Sequence, residues 1–326
     1  MKFLNTTLIV PSKSSFLKLD LFFRHIVKWN CLPKEIILIE TNKKKLNINK
    51  FFVNFCKKKK IILKILYKPN LYPGAARNIG IQFATFKILS FLDVGTFASP
   101  KWLQYGFRKI NKNVFGIVWG KTFYVAESEK EKIIRASTYG VKPLSTLPGS
   151  IINKDIFNTA GIFLKNVRAG EDAEWIHRVG THGIPTSLNK ELIKYQNLKG
   201  VSYTSIIRKW FRNYGFTREL SYLNNNRENY FLALSILISI IAFNWNPLVA
   251  QWKEDSHFYI PHVTKVSIFL IMVAYFFIRG FFLPIKKGCN LKFLLPFTVF
   301  KITLFSFFID LSKLTTFIYS RFKDRE

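Results

Sequence analysis

Three short stretches of this 326-residue chain carry side chains suited to chemistry. The first is Pro73-Gly74-Ala75-Ala76-Arg77-Asn78-Ile79-Gly80. Its Pro and Gly punctuate a turn, and Arg77 and Asn78 fall in the first turn of the helix that follows. Backbone N–H groups there lack intrahelical partners and favour an anion. The second is the apolar run 87–92, which ends on a carboxylate, Asp93. A carboxylate beyond the C-terminal end of a central parallel strand sits where open α/β sheets bind ligands. A cation at a helix start beside an acid at a strand end suits a phosphate held with a metal. The third is Gly170-Glu171-Asp172-Ala173-Glu174-Trp175, with two adjacent acids at a helix start. Taken alone, such acids can simply favour the positive end of the helix dipole.

These stretches need a scaffold, and the chain supplies alternating strands and helices. Thr7–Pro11 reads as a first strand, ended by Pro11. Apolar positions Phe16, Leu19, Phe22, Phe23, Ile26 and Val27 predict a helix that Pro33 stops. Glu35–Glu40 is a β-branched strand ending in an acid, 49–59 a basic helix and Ile61–Tyr67 a third strand. This alternation belongs to a parallel sheet. After Asp93, Ser99-Pro100 predicts a helix over Lys101–Lys109, followed by a strand at Val114–Trp119 and a charged helix over 127–137. A loop at Leu147–Ser150, a short helix at Lys154–Ala160, a helix at Glu171–Gly180 and a late strand at Glu191–Gln196 complete the pattern.

In this order, Pro73–Gly80, Phe91-Leu92-Asp93 and Gly170–Trp175 resemble the motifs of family 2 glycosyltransferases, over roughly residues 5–200. The resemblance implies an α/β GT-A fold, Rossmann-like with a mostly parallel sheet. It implies that Asp93 holds a donor diphosphate through Mg2+ or Mn2+. Val94-Gly95 replaces the second acid of the family's Asp-any-Asp, so the metal would rest on one carboxylate and the substrate's phosphates. Arg77 and Asn78 match the donor-side Arg-Asn pair; the plainer reading of Arg77 is an ion pair to Glu40 or Asp93. Glu40 stands where relatives place the Asp that accepts from the nucleobase, and Pro11 matches a strand-one proline at the donor. Asp172 takes the place of the general base that removes the acceptor hydroxyl's proton, and Glu171 orients the site. Trp175 either stacks on an acceptor sugar or packs in the core. Ser205–Trp210 only echoes the Gln-any-any-Arg-Trp of processive members. That implies transfer of one sugar, with Arg208 and Trp210 as acceptor contacts.

The chain carries a net charge of +31, with 39 of its 50 basic residues in 1–229. Such a charge admits nucleic acid, anionic membrane or anionic substrates. No zinc-finger spacing is present and the aromatics lie in apolar runs, which argues against nucleic acid. Cys31, Cys56 and Cys289 are odd in number and scattered, so they frame neither disulfides nor a metal cluster and fit a reducing compartment. The expected organisation is a catalytic domain over 1–200, amphipathic helices over 201–229, and a membrane domain over 230–326. Residues 203–229 lie either on the membrane surface or against the catalytic domain. Apolar segments 231–250, 263–285 and 293–319 predict two to three transmembrane helices. The third contains Lys301, Asp310 and Lys313 and could instead be kinked at Pro296 or interfacial. Basic residues Lys286, Lys287 and Lys292 place the catalytic domain on the cytoplasmic face of a multi-pass inner-membrane protein.

The expected function is an inverting transfer of a single sugar from a nucleoside-diphosphate sugar to a lipid-linked or cell-envelope polysaccharide acceptor. Two alternatives stand beside it. One is transfer directly to polyprenyl phosphate. The other is a non-catalytic GT-A membrane protein that binds a nucleotide sugar or a partner enzyme.

Overall fold

The computed structural model describes residues 2–44, 48–112, 115–217, 220 and 227–323. Its N-terminal part is an eight-stranded sheet in the order β3-β2-β1-β4-β7-β6-β8-β5. The strands are β1 (Lys2–Ser12), β2 (Cys31–Glu40), β3 (Ile62–Tyr67), β4 (Ile88–Phe91), β5 (Thr96–Ala98), β6 (Ile117–Tyr124), β7 (Leu144–Asn153) and β8 (Thr186–Tyr195). Strands β1 to β4 run parallel, β7 and β5 run against their neighbours, and β6 and β8 are parallel to each other. The sheet is therefore mixed, with six strands pointing one way.

The centre of the sheet is buried on both faces, which is why β1 and β2 are nearly continuous apolar runs. Leu8, Ile9, Val10 and Ile36–Ile39 are fully buried. One face is covered by α1 (Phe16–Ile26), α2 (Lys50–Lys58) and α4 (Trp102–Asn111), which contribute Phe22, Phe23, Phe52 and Trp102. The other is covered by α3 (Pro73–Phe83), α6 (Ile156–Thr159) and α7 (Glu171–Thr181), with Ile81, Phe157 and Trp175. Glu35, fully buried in β2, links β1, β3 and the chain just after α3. Its carboxylate accepts from Thr7 Oγ1 (2.5 Å) and from Thr85 N and Oγ1 (2.8 Å each), and pairs with Lys64 Nζ at 2.6 Å.

Several boundaries differ from the sequence expectations. Helix α1 stops at Ile26, and Pro33 lies within β2, opposite Leu4 on β1. The strand expected at Val114–Trp119 is β6, later and longer; Val114 itself lies outside the described residues. Leu147–Ser150 is not a loop but the middle of β7. Its Pro-Gly pair is accommodated because Gly149 has φ +89° and faces Gly120, where a Cβ would meet Pro148 O at 2.1 Å. The late strand β8 begins five residues earlier than expected.

The C-terminal helices are α8 (Tyr203–Thr217), α9 (Arg227–Leu248), α10 (Val263–Tyr275), α11 (Leu283–Lys286), α12 (Leu291–Leu294) and α13 (Thr298–Lys323). A π-helical stretch, Phe276–Phe282, joins α10 to α11. Among the described residues this continuous run, Val263–Lys286, is the one helix long and apolar enough to cross a membrane; Leu237–Leu248 of α9 is a shorter apolar helix. Helix α13 departs from the expected span 293–319. The chain breaks between α12 and α13 around Pro296, and one face of α13 packs on the α/β domain. Ile302, Phe305 and Ile309 are buried with Ile133 and Ile134 of α5 (Glu129–Ser137) and Ile206 of α8. Lys301 Nζ lies 2.6 Å from Glu129 Oε1. Helix α8 is thus packed through Ile206; Arg218 and 221–226 lie outside the described residues.

Candidate active site

Strand β4 delivers the chain to Asp93, whose carbonyl accepts from Thr96 N and Thr96 Oγ1 at 3.1 and 2.6 Å, fixing the turn. Arg77 lies one turn into α3, which starts with Pro73 at its first position. Its guanidinium is buried between two acids: Nη2 is 3.1 Å from Asp93 Oδ1 and Nη1 is 2.7 Å from Glu171 Oε1. Gly74 makes this convergence possible. A Cβ there would stand 2.3 Å from Leu164 O and 3.1 Å from Glu171 Cγ. Asn78 closes the same corner, donating from Nδ2 to Phe163 O (2.7 Å) and accepting from Phe163 N (3.0 Å). Its amide is engaged with the backbone, so the structure makes it a clamp on the loop before α7 and not a free donor contact.

Glu171 and Asp172 open α7 after Gly170, which has φ +89°. Glu171 is buried, and Asp172 is half-buried with Oδ1 accepting from Ala173 N at 2.9 Å. Burial pushes the Glu171 carboxyl above its ordinary range and the Asp172 charge adds to this, against the opposing pull of Arg77. Burial works against the charged form of Arg77, but Asp93, Glu171 and Asp172 together outweigh it. One arginine is therefore held among three carboxylates. Glu171 is committed to Arg77, and Asp172 is the more open of the two adjacent acids.

Pro11 and Glu40 lie at the same edge of the sheet: β1 and β2 place Pro11 opposite Ile39 and Ser12 opposite Glu40, while Ile9 is opposite Phe91. Glu40 is buried at the end of β2. Two tyrosines that the sequence reading did not single out join this edge. Tyr124 ends β6 and Tyr195 ends β8; they are in register, with ring centroids 5.1 Å apart. Burial first, then Tyr139 and the charges of Asp172 and Asp93, push the Tyr124 hydroxyl well above its ordinary range. Burial and Asp93 do the same for Tyr195. Both phenols therefore stay protonated and can donate hydrogen bonds. A tyrosine at the end of each of two strands is visible in the sequence, but their pairing depends on the β6–β8 register.

Trp175 is a correction. It is fully buried, donates from Nε1 to Gly161 O at 2.8 Å, and packs on Phe157 and Phe163 with centroids 4.9 Å away. No face remains for a sugar. Arg208 is exposed on α8. Trp210 is half-buried against Tyr139, 6.2 Å between centroids, and Tyr139 in turn stacks flat on Tyr124 at 3.9 Å. Trp210 is thus linked to Tyr124 through Tyr139, and the side-chain bonds of the Arg77 cluster come from Asp93 and Glu171, not from α8.

No group of three or more His, Cys, Asp or Glu that could hold a metal occurs among the described residues. Asp93, a quarter exposed, already gives one oxygen to Arg77. A divalent cation at Asp93 therefore fits only with further ligands from substrate phosphates and water, a mode that Mg2+ commonly uses.

Residues 7–166 match the family model described as Glycosyl transferase family 2. Over 212 residues the chain is 29% identical to an uncharacterised glycosyltransferase of Rickettsia conorii, a match that covers 61% of this chain and 34% of that protein. A second uncharacterised glycosyltransferase, from Rickettsia bellii, is 28% identical over 155 residues, covering 44% of this chain and 22% of the relative. The matches thus span about a third and about a fifth of the length of these two relatives. Among solved structures, a mannosyltransferase from Pyrobaculum calidifontis in complex with GDP-Man and Mn2+ is similar with a TM-score of 0.55, over 95% of this chain and 87% of that one. At 11% identity this is a likeness of fold.

Proposed function

We propose, from the match of residues 7–166 to the family 2 glycosyltransferase model, that the chain is an inverting enzyme that moves one sugar from a nucleoside-diphosphate sugar to a hydroxyl of a lipid-linked or cell-envelope glycan. The observation that carries this reading is the edge of the sheet where Asp93, Glu171 and Asp172 surround Arg77. Donor binding falls to the C-terminal ends of β1, β2 and β4. Glu40 accepts from the nucleobase, the backbone at Pro11 lies alongside it, and Asp93 faces the diphosphate. Mg2+ or Mn2+ held by Asp93 and the phosphates would neutralise charge on the leaving diphosphate.

In the transfer, the acceptor oxygen forms a bond to the anomeric carbon as the bond to the diphosphate oxygen breaks on the opposite face. Asp172 takes the hydroxyl proton as that bond forms. Glu171 and Asp93 are kept in place by their shared arginine, so Arg77 acts as a positioning residue. Protonated Tyr124 and Tyr195 present hydroxyl donors beside the acids. Val263–Lys286 anchors the enzyme to the membrane, with the basic Lys286, Lys287 and Lys292 and the catalytic domain on the cytoplasmic side.

The test is nucleoside-diphosphate release by membranes containing the chain, with a panel of sugar donors, native lipid extract and added Mg2+ or Mn2+. Turnover with one donor, lost in Asp172→Asn and Asp93→Asn, is the expected result. Donor binding without turnover, unchanged by Asp172→Asn, would overturn the catalytic reading in favour of a nucleotide-sugar-binding protein. That is the alternative that Val94-Gly95, in place of a second acid, favours.

A further inference from the structure

Gly95 stands where a second acid would follow Asp93, and the far end of the sheet closes over it. Asp93 to Thr96 form a tight turn: Thr96 N donates to Asp93 O at 3.1 Å, and Gly95, third in the turn, has φ +98°. A side chain is strained in that conformation, so the turn favours glycine there. The space is taken as well. A Cβ at Gly95 would stand 2.6 Å from Oδ1 of Asn197, with Cγ at 3.5 Å and Nδ2 at 3.8 Å. The Asn197 amide therefore turns its oxygen, not its nitrogen, toward Gly95.

The backbone around Asn197 is anchored on both sides. Thr96 pairs with Tyr195 across β5 and β8, and Gln196 N donates to Gly95 O at 3.1 Å. Leu198 is buried with Ile133, Ile134 and Ile206, and Lys199 N donates to Gln196 O at 3.2 Å. Between these ties the Asn197 side chain is exposed. An anchored turn thus delivers a solvent-facing amide oxygen to the spot from which a second acid's side chain would grow. Asp93, a quarter exposed, gives Oδ1 to Arg77, which leaves Oδ2 for a cation. An amide carbonyl is a hard oxygen ligand, of the kind that Mg2+ and Mn2+ accept alongside carboxylates and phosphates.

We propose that Asn197 supplies the oxygen that position 95 cannot. With Asp93 it holds the divalent cation of the donor diphosphate, in a ligand position that would otherwise fall to water. Ligand charge sets cation affinity. A neutral amide in place of a carboxylate leaves the protein's share of the site one negative charge short. The cation therefore depends on the diphosphate more than on the protein, and it arrives and leaves with the nucleotide. This rests on the donor-binding reading given above and adds to it a residue outside every motif of the sequence.

The test uses the full chain in detergent with Mn2+ as the probe, in the presence of UDP, GDP, CDP or dTDP. Electron paramagnetic resonance reads free Mn2+, and water-proton relaxation reads the waters on the bound ion. The wild type should take up Mn2+ together with one of these nucleotides. Asn197→Ala should weaken that uptake roughly tenfold and raise the relaxation, because water fills the ligand position. Asn197→Asp, which restores a carboxylate, should bind Mn2+ more tightly than the wild type, with no added water. Thermal melts establish that each variant is folded. Wild-type affinity and relaxation in a folded Asn197→Ala overturn the proposal. So does an Asn197→Asp that binds Mn2+ no better than Asn197→Ala. Nucleotide held equally with and without Mn2+ overturns the metal role and leaves the donor reading standing. Binding of neither sinks the donor reading and the proposal with it.

Discussion

The sheet edge and the helical junction are charge images of each other. At the edge, Arg77 is enclosed by Asp93, Glu171 and Asp172; at the junction of α13 with the long apolar helix, Asp310 is approached by Arg279, Lys313 and the Tyr275 hydroxyl. In each, one ion of minority sign fixes the positions of the majority. The charge left over then selects what can be bound. A surplus of carboxylates calls for a cation. The two differ in burial. Arg77 and Glu171 side chains are 5% and 6% exposed, whereas Asp310 is 31% exposed. The edge therefore depends on its central ion for stability far more than the junction does.

The strongest break in this comparison is Asp172→Asn. It removes one majority charge and, on the proposed mechanism, the base. The turnover number should fall by about 10²–10⁴, with donor KM little changed, as steady-state kinetics on the responding donor will read. Arg77→Met comes next. It leaves two acids facing each other without their cation, and breaking a buried pair typically costs about 3–5 kcal/mol. Denaturant unfolding should show a loss of that size, and Asp310→Asn a clearly smaller one; equal losses would erase the distinction drawn between the two regions.

Trp175→Phe tests the edge from behind. It removes the indole donor from the half-buried Gly161 O, which should cost about 0.5–1.5 kcal/mol, and it should leave acceptor KM unchanged because Trp175 offers no exposed face. A raised acceptor KM in a folded variant would restore a direct contact with sugar.

Glu35 sharpens the comparison as a buried acid with neither surplus nor deficit. Burial alone would raise its pKa, but hydrogen bonds from Lys64, Thr7 and Thr85 outweigh this and hold it below the ordinary range. A depressed folded pKa means the contribution to stability is complete above the unfolded value of about 4.3. It is lost as pH falls through the folded pKa. Urea midpoints measured from pH 6 to pH 3 should decline, and Glu35→Gln should be less stable at pH 6 with a shallower decline.

The Arg77 edge was legible because its residues come in contiguous runs. Pro73–Gly80, the strand end at Asp93 and Glu171-Asp172 each announce a helix start or a strand end by local chemistry. What escaped depends on register or on which side of an element is covered. Tyr124 and Tyr195 meet only because β6 and β8 pair as they do. Leu147–Ser150 carries loop punctuation, yet Gly120 on the neighbouring strand leaves room for it to remain a strand. Helix α13 is apolar both where it is buried, at Ile302, Phe305 and Ile309, and where it is exposed, at Leu304, Phe308 and Leu311. Hydropathy alone cannot separate a helix wrapped in lipid from one seated on protein. Arg279 and Asp310, paired at 2.7 Å, lie too far apart in the sequence for any motif to join them.

The seating of α13 on α5 and α8 has a consequence for protease experiments. The chain leaves the α/β domain after α8, runs through the apolar helices, and returns to the same domain at its far end. A single cleavage between α8 and α9 would cut the covalent path once and leave the fragments clasped through Ile302, Phe305 and Ile309. The two fragments should therefore copurify as one species under native conditions, and separate only in denaturant.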